Sequence, residues 1–227
     1  MHGNAQNRVV VCIDGFNLFF GLKYFAEEQG GKKLHYWLNA KRLAESMLKP
    51  HQTLAKVKFF TTRIQVTWDG AYVSDEVRKE REEKRARQNT YLEAIGTLPD
   101  VEIQYGMFAL KENECGKCYR SVKIPVEKMT DVNIATSLLV GAFRDEFDTA
   151  ILVTADSDLR SPVHAIVSEF PKKKIIVAFP PGRSSKELKK AGHGTIHIGE
   201  HHFVRSLLPP TVVRQDGFEL TRPAAWS

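Results

Sequence analysis

Two short apolar runs in this chain end in acids. Val9-Val10-Val11-Cys12-Ile13 runs into Asp14-Gly15-Phe16-Asn17, and Ala150-Ile151-Leu152-Val153-Thr154 runs into Ala155-Asp156-Ser157-Asp158. A fourth acid, Asp131, opens the apolar stretch that continues to Phe143. If these segments meet, Asp14, Asp131, Asp156 and Asp158 form a cluster of carboxylates. Such a cluster is unstable without a counter-charge, because like charges at contact distance repel by kilocalories. A hard divalent cation with oxygen ligands resolves the repulsion, and Mg²⁺ or Mn²⁺ suits a site of a few carboxylates plus substrate phosphate. No EF-hand spacing points to Ca²⁺, and no His or Cys belongs to the cluster to favour zinc. Each acid also has a purely structural reading. Asp156 or Asp158 could cap a helix over Leu159–Phe170, Asp131 meets a helix dipole favourably, and Asn17 could stabilise a turn. Asp156 and Asp158 cannot both be the cap.

The elements that must position these acids follow from hydrophobic pattern. Val9–Ile13, Val57–Thr62, Val101–Phe108, Ala150–Thr154, Ile175–Phe179 and Thr195–Ile198 are short, β-branched and aromatic, and read as strands. Helical patterns over Phe16–Glu28, Ser74–Ile95, Asp131–Phe143, Leu159–Phe170 and Ser184–Ala191 alternate with them. Val132, Ala135, Leu139 and Ala142 mark one face of the third helix, with Ile134 and Leu138 beside it, so that helix is expected to lie against the sheet. Strand–helix alternation with near-continuous apolar strands predicts an α/β fold with a mostly parallel central sheet covered on both faces. Ligands then collect outside the carboxyl ends of the strands, where both acid-bearing runs end. A single domain is expected over residues 8–208, with a hairpin excursion at about 111–125. Residues 209–227 show little periodicity and read as a tail trailing over the surface.

The chain has 227 residues and a net charge of +6. Its 42% hydrophobic and 26% charged composition belongs to an ordinary globular protein and argues against disorder or coiled coil. No apolar run has the length of a membrane span, and no signal-peptide pattern stands at the N-terminus. Three cysteines are too few for a disulfide framework, so a cytoplasmic protein is expected. The charge excess is local. Lys172, Lys173, Lys174, Arg183, Lys186, Lys189 and Lys190 face only Glu187 between Pro171 and His193, and the rest of the chain is balanced. Arg183, Lys186, Lys189 and Lys190 follow the strand Ile175–Phe179 and should lie at the acid edge, where they could bind backbone phosphates. Lys172–Lys174 precede that strand and read as a solvated turn at the opposite edge.

Three segments resemble the NYN domain, the LabA-like branch of the PIN-like nuclease superfamily. They are Val11-Cys-Ile-Asp14-Gly-Phe-Asn17-Leu-Phe, Glu127-Lys128-Met-Thr-Asp131-Val-Asn-Ile-Ala, and Ala150-Ile-Leu-Val-Thr-Ala-Asp156-Ser-Asp158-Leu. Arg87-Gln88 followed by Tyr91-Leu92 is similar to the family's middle helix. Ser-Gly more commonly precedes the first Asp of the third motif, where this chain has Thr154-Ala155. The resemblance spans roughly residues 8–200. It implies a PIN-like three-layer sandwich and a metal-dependent ribonuclease, a hydrolase of endonuclease type. Mg²⁺ or Mn²⁺ would be held by Asp14, Asp131, Asp156 and Asp158, with Asn17 and Ser157 as supporting polar groups and Lys128 near the substrate phosphate. RNA is the implied partner, and homodimers are common among PIN-like domains.

A non-catalytic RNA-binding or regulatory module is the alternative from another class. An acid-cluster phosphatase fits less well, because the acid expected two residues after its nucleophilic Asp is Phe16 here. Cys115-x-x-Cys118 is half of a zinc site, and with no second pair it reads as two hairpin cysteines rather than a structural Zn²⁺ centre. Arg63, Tyr24 and Trp37 could add substrate contacts, although core packing or plain surface explains each.

Overall fold

The alternation of residues along the first strand sets the architecture. In the computed structural model, which describes residues 6–66, 74–114, 116–119 and 121–226, β1 (Asn7–Asp14) turns Val9, Val11 and Ile13 to one face and Val10 and Cys12 to the other. Both sets are buried, as a strand covered on two sides requires. The chain continues through α1 (Gly15–Glu28), α2 (Ala40–Glu45), β2 (Gln52–Thr61), α3 (Asp75–Gly96) and β3 (Val101–Tyr105). It then makes a hairpin of β4 (Met107–Glu114) and β5 (Ser121–Lys128), followed by α4 (Thr130–Phe143) and β6 (Thr149–Val153). The remainder is α5 (Arg160–Glu169), β7 (Lys174–Phe179), α6 (Lys186–Ala191), β8 (Gly194–His197), α7 (Glu200–Val204), β9 (Thr211–Val213) and β10 (Glu219–Thr221).

Six parallel strands form the central sheet in the order β3-β2-β1-β6-β7-β8. Packed on the face of Val9, Val11 and Ile13 are α1, α2, α3 and α7, through Leu18, Leu22, Leu43, Leu92, Ile95 and Phe203. On the opposite face Ile134, Leu138, Val163, Ile166 and Leu188 bring α4, α5 and α6 against Val10 and Cys12. The architecture is thus the three-layer α/β sandwich expected of a PIN-like domain. The strand order reverses between β1 and β6, which makes their carboxyl ends the crevice where such sheets bind ligands.

Several local expectations differ from the structure. The apolar run Val101–Phe108 is two strands: β3 closes the sheet edge, and the chain leaves it at Gly106 to start the separate antiparallel hairpin. Helix α4 carries large apolar residues on more than one face, so pattern alone does not choose the buried one. Ile134, Leu138, Gly141 and Ala142 are buried, whereas Val132, Leu139 and Phe143 remain in water. Lys173 is buried rather than solvated. It pairs with Asp145, donates to the Phe147 carbonyl at 2.6 Å, and closes a charge cluster with Arg8 and Asp148 at the amino edge of the sheet. The stretch after residue 209 does not trail away. Val212 and Leu220 of the β9–β10 hairpin join the core, Trp226 packs near Trp37, Tyr36 and Tyr91, and the Trp37 indole N–H donates to the Pro209 carbonyl at 2.7 Å.

Candidate acidic site at the strand ends

The pairing of β1 with β6 matches Ile13 to Val153, so Asp14 and Thr154 emerge side by side. Asp14 is 2% exposed and caps α1: its carboxylate accepts from the Asn17 backbone N–H at 3.0 Å and the Asn17 side-chain amide at 2.6 Å. The Thr154 hydroxyl adds a third donor at 2.9 Å. Burial pushes the Asp14 carboxyl above the ordinary range, and these hydrogen bonds oppose the shift. Asn17 also reaches across the strand ends, its side-chain oxygen accepting the Ala155 N–H at 3.3 Å. The helix-cap reading of Asp14 is therefore true and compatible with a place in the site.

After β6, the Asp156 carboxylate accepts the Asp158 N–H at 3.0 Å and so caps a single 3-10 turn, Ser157–Leu159. Helix α5 begins without a side-chain cap. Asp156 is half-buried, whereas Ser157 and Asp158 are exposed. Asp131 lies in the first turn of α4. Burial, and then the negative charges of Asp156, Asp14, Glu127 and Asp158, push its carboxyl up to about 6. That mutual repulsion is the physical sign that the four aspartates share one neighbourhood. Among the described residues, no Lys, Arg or His forms an ion pair with any of them.

Glu127 is the member that sequence reasoning missed. It ends the β4–β5 hairpin, and its Oε1 accepts the Thr62 hydroxyl at 3.2 Å, the Thr130 N–H at 3.1 Å and the Thr130 hydroxyl. It thereby does for α4 what the left-handed Met129 at the cap position, φ 78°, does not. An acid three residues before Thr130, at the start of an apolar helix, was a legible capping signal. Lys128, on the same strand, is exposed.

The donor set is all oxygen and carries uncompensated negative charge, which suits a hard divalent cation in both donor type and charge. As placed, no three His, Cys, Asp or Glu side chains among the described residues close around one metal position. Both Asp14 oxygens are engaged by Asn17 and Thr154.

Arg183, Lys186, Lys189 and Lys190 are exposed on the turn after β7 and on α6. Helix α6 packs beside the 3-10 turn that carries Ser157 and Asp158, which puts the basic surface next to the acidic one. Lys189 lies 5.4 Å from the Phe179 ring. Arg63 is held by Asn89 at 2.8 Å and stacks over Tyr105 at 4.8 Å, and Trp37 is fully buried in the core. Cys115 lies outside the described residues and Cys118 is exposed. Cys12 is buried in β1, where desolvation pushes its thiol up to about 12. A cavity of about 640 Å³ between α4 and β2–β3, lined by Lys56, Lys58, Glu102, Gln104 and Arg144 among others, includes none of the clustered acids. No described helix is long and apolar enough to cross a membrane.

The family model for the NYN domain matches residues 8–199. No curated protein matches the sequence. Among solved structures, a protein of unknown function from Vibrio parahaemolyticus aligns with a TM-score of 0.49 at 16% identity, covering 92% of this chain and 100% of its own. A nicotinamidase from Staphylococcus aureus aligns with a TM-score of 0.23 at 11% identity over 87% of each chain. Neither likeness bears on activity.

Proposed function

The chain belongs to the NYN domain family, and on that premise we propose that it is a metal-dependent ribonuclease, of endonuclease type, that hydrolyses RNA phosphodiester bonds at the acidic site. NYN domains are typically ribonucleases that use divalent metals, which places the chain in nuclease-like, RNA-related function. What supports the finer reading is that Asp14 and Asp156 stand at adjacent strand ends of the β1–β6 switch point and share Thr154, that burial and their charges raise the Asp131 carboxyl, and that none of the four aspartates has an ion-pair partner among the described residues.

Asp14, Asp131, Asp156 and Asp158 would hold Mg²⁺ or Mn²⁺, with Glu127 contributing negative charge beside them. Such an ion supplies Lewis-acid activation of water and neutralises charge developing on the phosphate. The protein's own part is orientation. Asn17 and Thr154 fix the Asp14 carboxylate, and the Thr154 hydroxyl accepts the Asp156 N–H at 3.1 Å, so one side chain aligns both acids. Arg183, Lys186, Lys189 and Lys190 would grip backbone phosphates, which positions the strand without reading its sequence. Ser157 and Lys128 are exposed beside the acids and would contact the bound strand.

Labelled RNA incubated with Mg²⁺ or Mn²⁺ should be shortened by the wild type and left intact by Asp156→Asn. Binding without shortening by the wild type would favour the non-catalytic RNA-binding reading.

A further inference from the structure

Asn17, Gly21 and Tyr24 stand at i, i+4 and i+7 of α1 and share one face of that helix. Each meets the carboxyl edge of the sheet. Asn17 binds the backbone after β6. Gly21 touches the turn after β7 so closely that a Cβ there would lie 2.4 Å from Pro180 Cβ. Tyr24 lies against Gly182, where an added Cβ would come within 2.6 Å of its ring. Helix α1 thus runs along the strand ends, from the acids at its start to the basic turn that carries Arg183.

Three large rings on this helix face water: Phe19, Phe20 and Tyr24 are 43%, 49% and 46% exposed, although Leu18, Leu22 and Ala26 of the same helix are buried. Phe19 and Phe20 meet edge-on at 5.7 Å, and the Arg183 guanidinium lies 5.9 Å from the Phe20 ring centroid. Half-exposed rings beside a cation, alongside an acidic phosphodiester site, have the composition of a base-stacking surface. The helical rise places Phe20 roughly 9 Å along the axis from Asp14, close enough for a base flanking the bound phosphate. A paired base offers no free face to such rings, whereas an unpaired one does.

We infer that Phe19, Phe20 and Tyr24, with Arg183, form a stacking platform that takes unpaired bases of the bound strand. The inference rests on the ribonuclease reading, and its test is kept separate from cleavage. Binding of a fluorescent single-stranded oligoribonucleotide, and of the same strand in a perfect duplex, is measured by anisotropy in EDTA. The Phe20→Ala/Tyr24→Ala variant, checked for native circular dichroism, should lose about tenfold or more in single-strand affinity and keep its duplex affinity. Phe20→Trp should retain single-strand binding, and Phe143→Ala, on the far exposed side of α4, should bind as the wild type does. Unchanged single-strand affinity in the double variant overturns the platform, as expected if these rings serve a protein partner instead. Equal loss on duplex, a matching loss in Phe143→Ala, or no single-strand binding by the wild type also overturns it. A wild type that binds in this way yet leaves RNA intact with Mn²⁺ overturns the hydrolytic reading alone.

Discussion

The Thr154 hydroxyl donates to the Asp14 carboxylate at 2.9 Å across the ends of two adjacent parallel strands. The same oxygen accepts the Asp156 N–H, so the two acids are aligned through one threonine. The register that pairs Ile13 with Val153 makes this geometry unavoidable, and the reversal of strand order at that point leaves the space in front of it open.

Thr154→Val keeps the shape and removes both hydrogen bonds. It should destabilise the protein by about 1–3 kcal/mol, because a buried carboxylate loses a donor and an amide loses its acceptor. Thr154→Ser should recover most of the loss. Denaturant midpoints measure both, and a valine variant as stable as the wild type would contradict the arrangement.

Asp131 gives a pH-dependent prediction. Its folded-state carboxyl is pushed up to about 6 from an ordinary value of 3.8, so the folded protein holds this proton more tightly than the unfolded chain. The resulting penalty is absent below pH 4, grows as pH rises through 6, and is complete above pH 7. Asp131→Asn should therefore stabilise the metal-free protein above pH 7, by on the order of 1 kcal/mol once partial solvent screening is allowed for. The gain should vanish at pH 4. Thermal unfolding at the two pH values checks it, and added Mg²⁺ should shrink the difference by stabilising the wild type.

The basic helix predicts a salt dependence. Replacing Lys186, Lys189 and Lys190 with Ala together should weaken single-stranded RNA binding and lower the log–log salt slope by about 2, at roughly 0.7 per lost phosphate contact. An unchanged slope would remove α6 from the binding surface.

Removal of residues 209–227 tests the packed C-terminal segment. It strips Val212, Leu220 and Trp226 from the core and orphans the buried Trp37 indole N–H. A loss of about 3 kcal/mol or more is expected from the apolar contacts alone. A truncated chain melting with the full-length protein would show the contacts to be idle.

The acids were legible because a buried parallel strand announces itself as a short apolar run, and the residue that follows it must lie at the sheet edge. Asp14, Asp156 and Asp158 needed only that rule, together with adjacency of the two strands. The spacing of Glu127 to Thr130 is a legible capping signal, but its place beside the aspartates is harder to read, since it lies on a hairpin outside the main sheet and also depends on the distant Thr62. The exposed face of α4 is illegible because the helix carries large apolar residues on more than one face, so Val132 and Leu139 cannot be told from Ile134 and Leu138. Lys173 and the C-terminal segment depart from the sequence expectation for a shared reason. A buried lysine depends on Asp145 and the Phe147 carbonyl, and the sparse apolar residues near the C-terminus depend on Trp37, partners that only the folded chain brings near.

Cleavage of a labelled single-stranded RNA with Mn²⁺, compared between the wild type and Asp156→Asn, bears most directly on the role of the acidic site. Replacing one carboxylate with an amide at a half-buried cap removes a charge with little change of shape. The wild type should cut and the variant should lose at least a hundredfold in rate, about 2.7 kcal/mol of transition-state stabilisation, while still binding the strand. Equal rates in the two proteins would contradict a catalytic role for the strand-end aspartates.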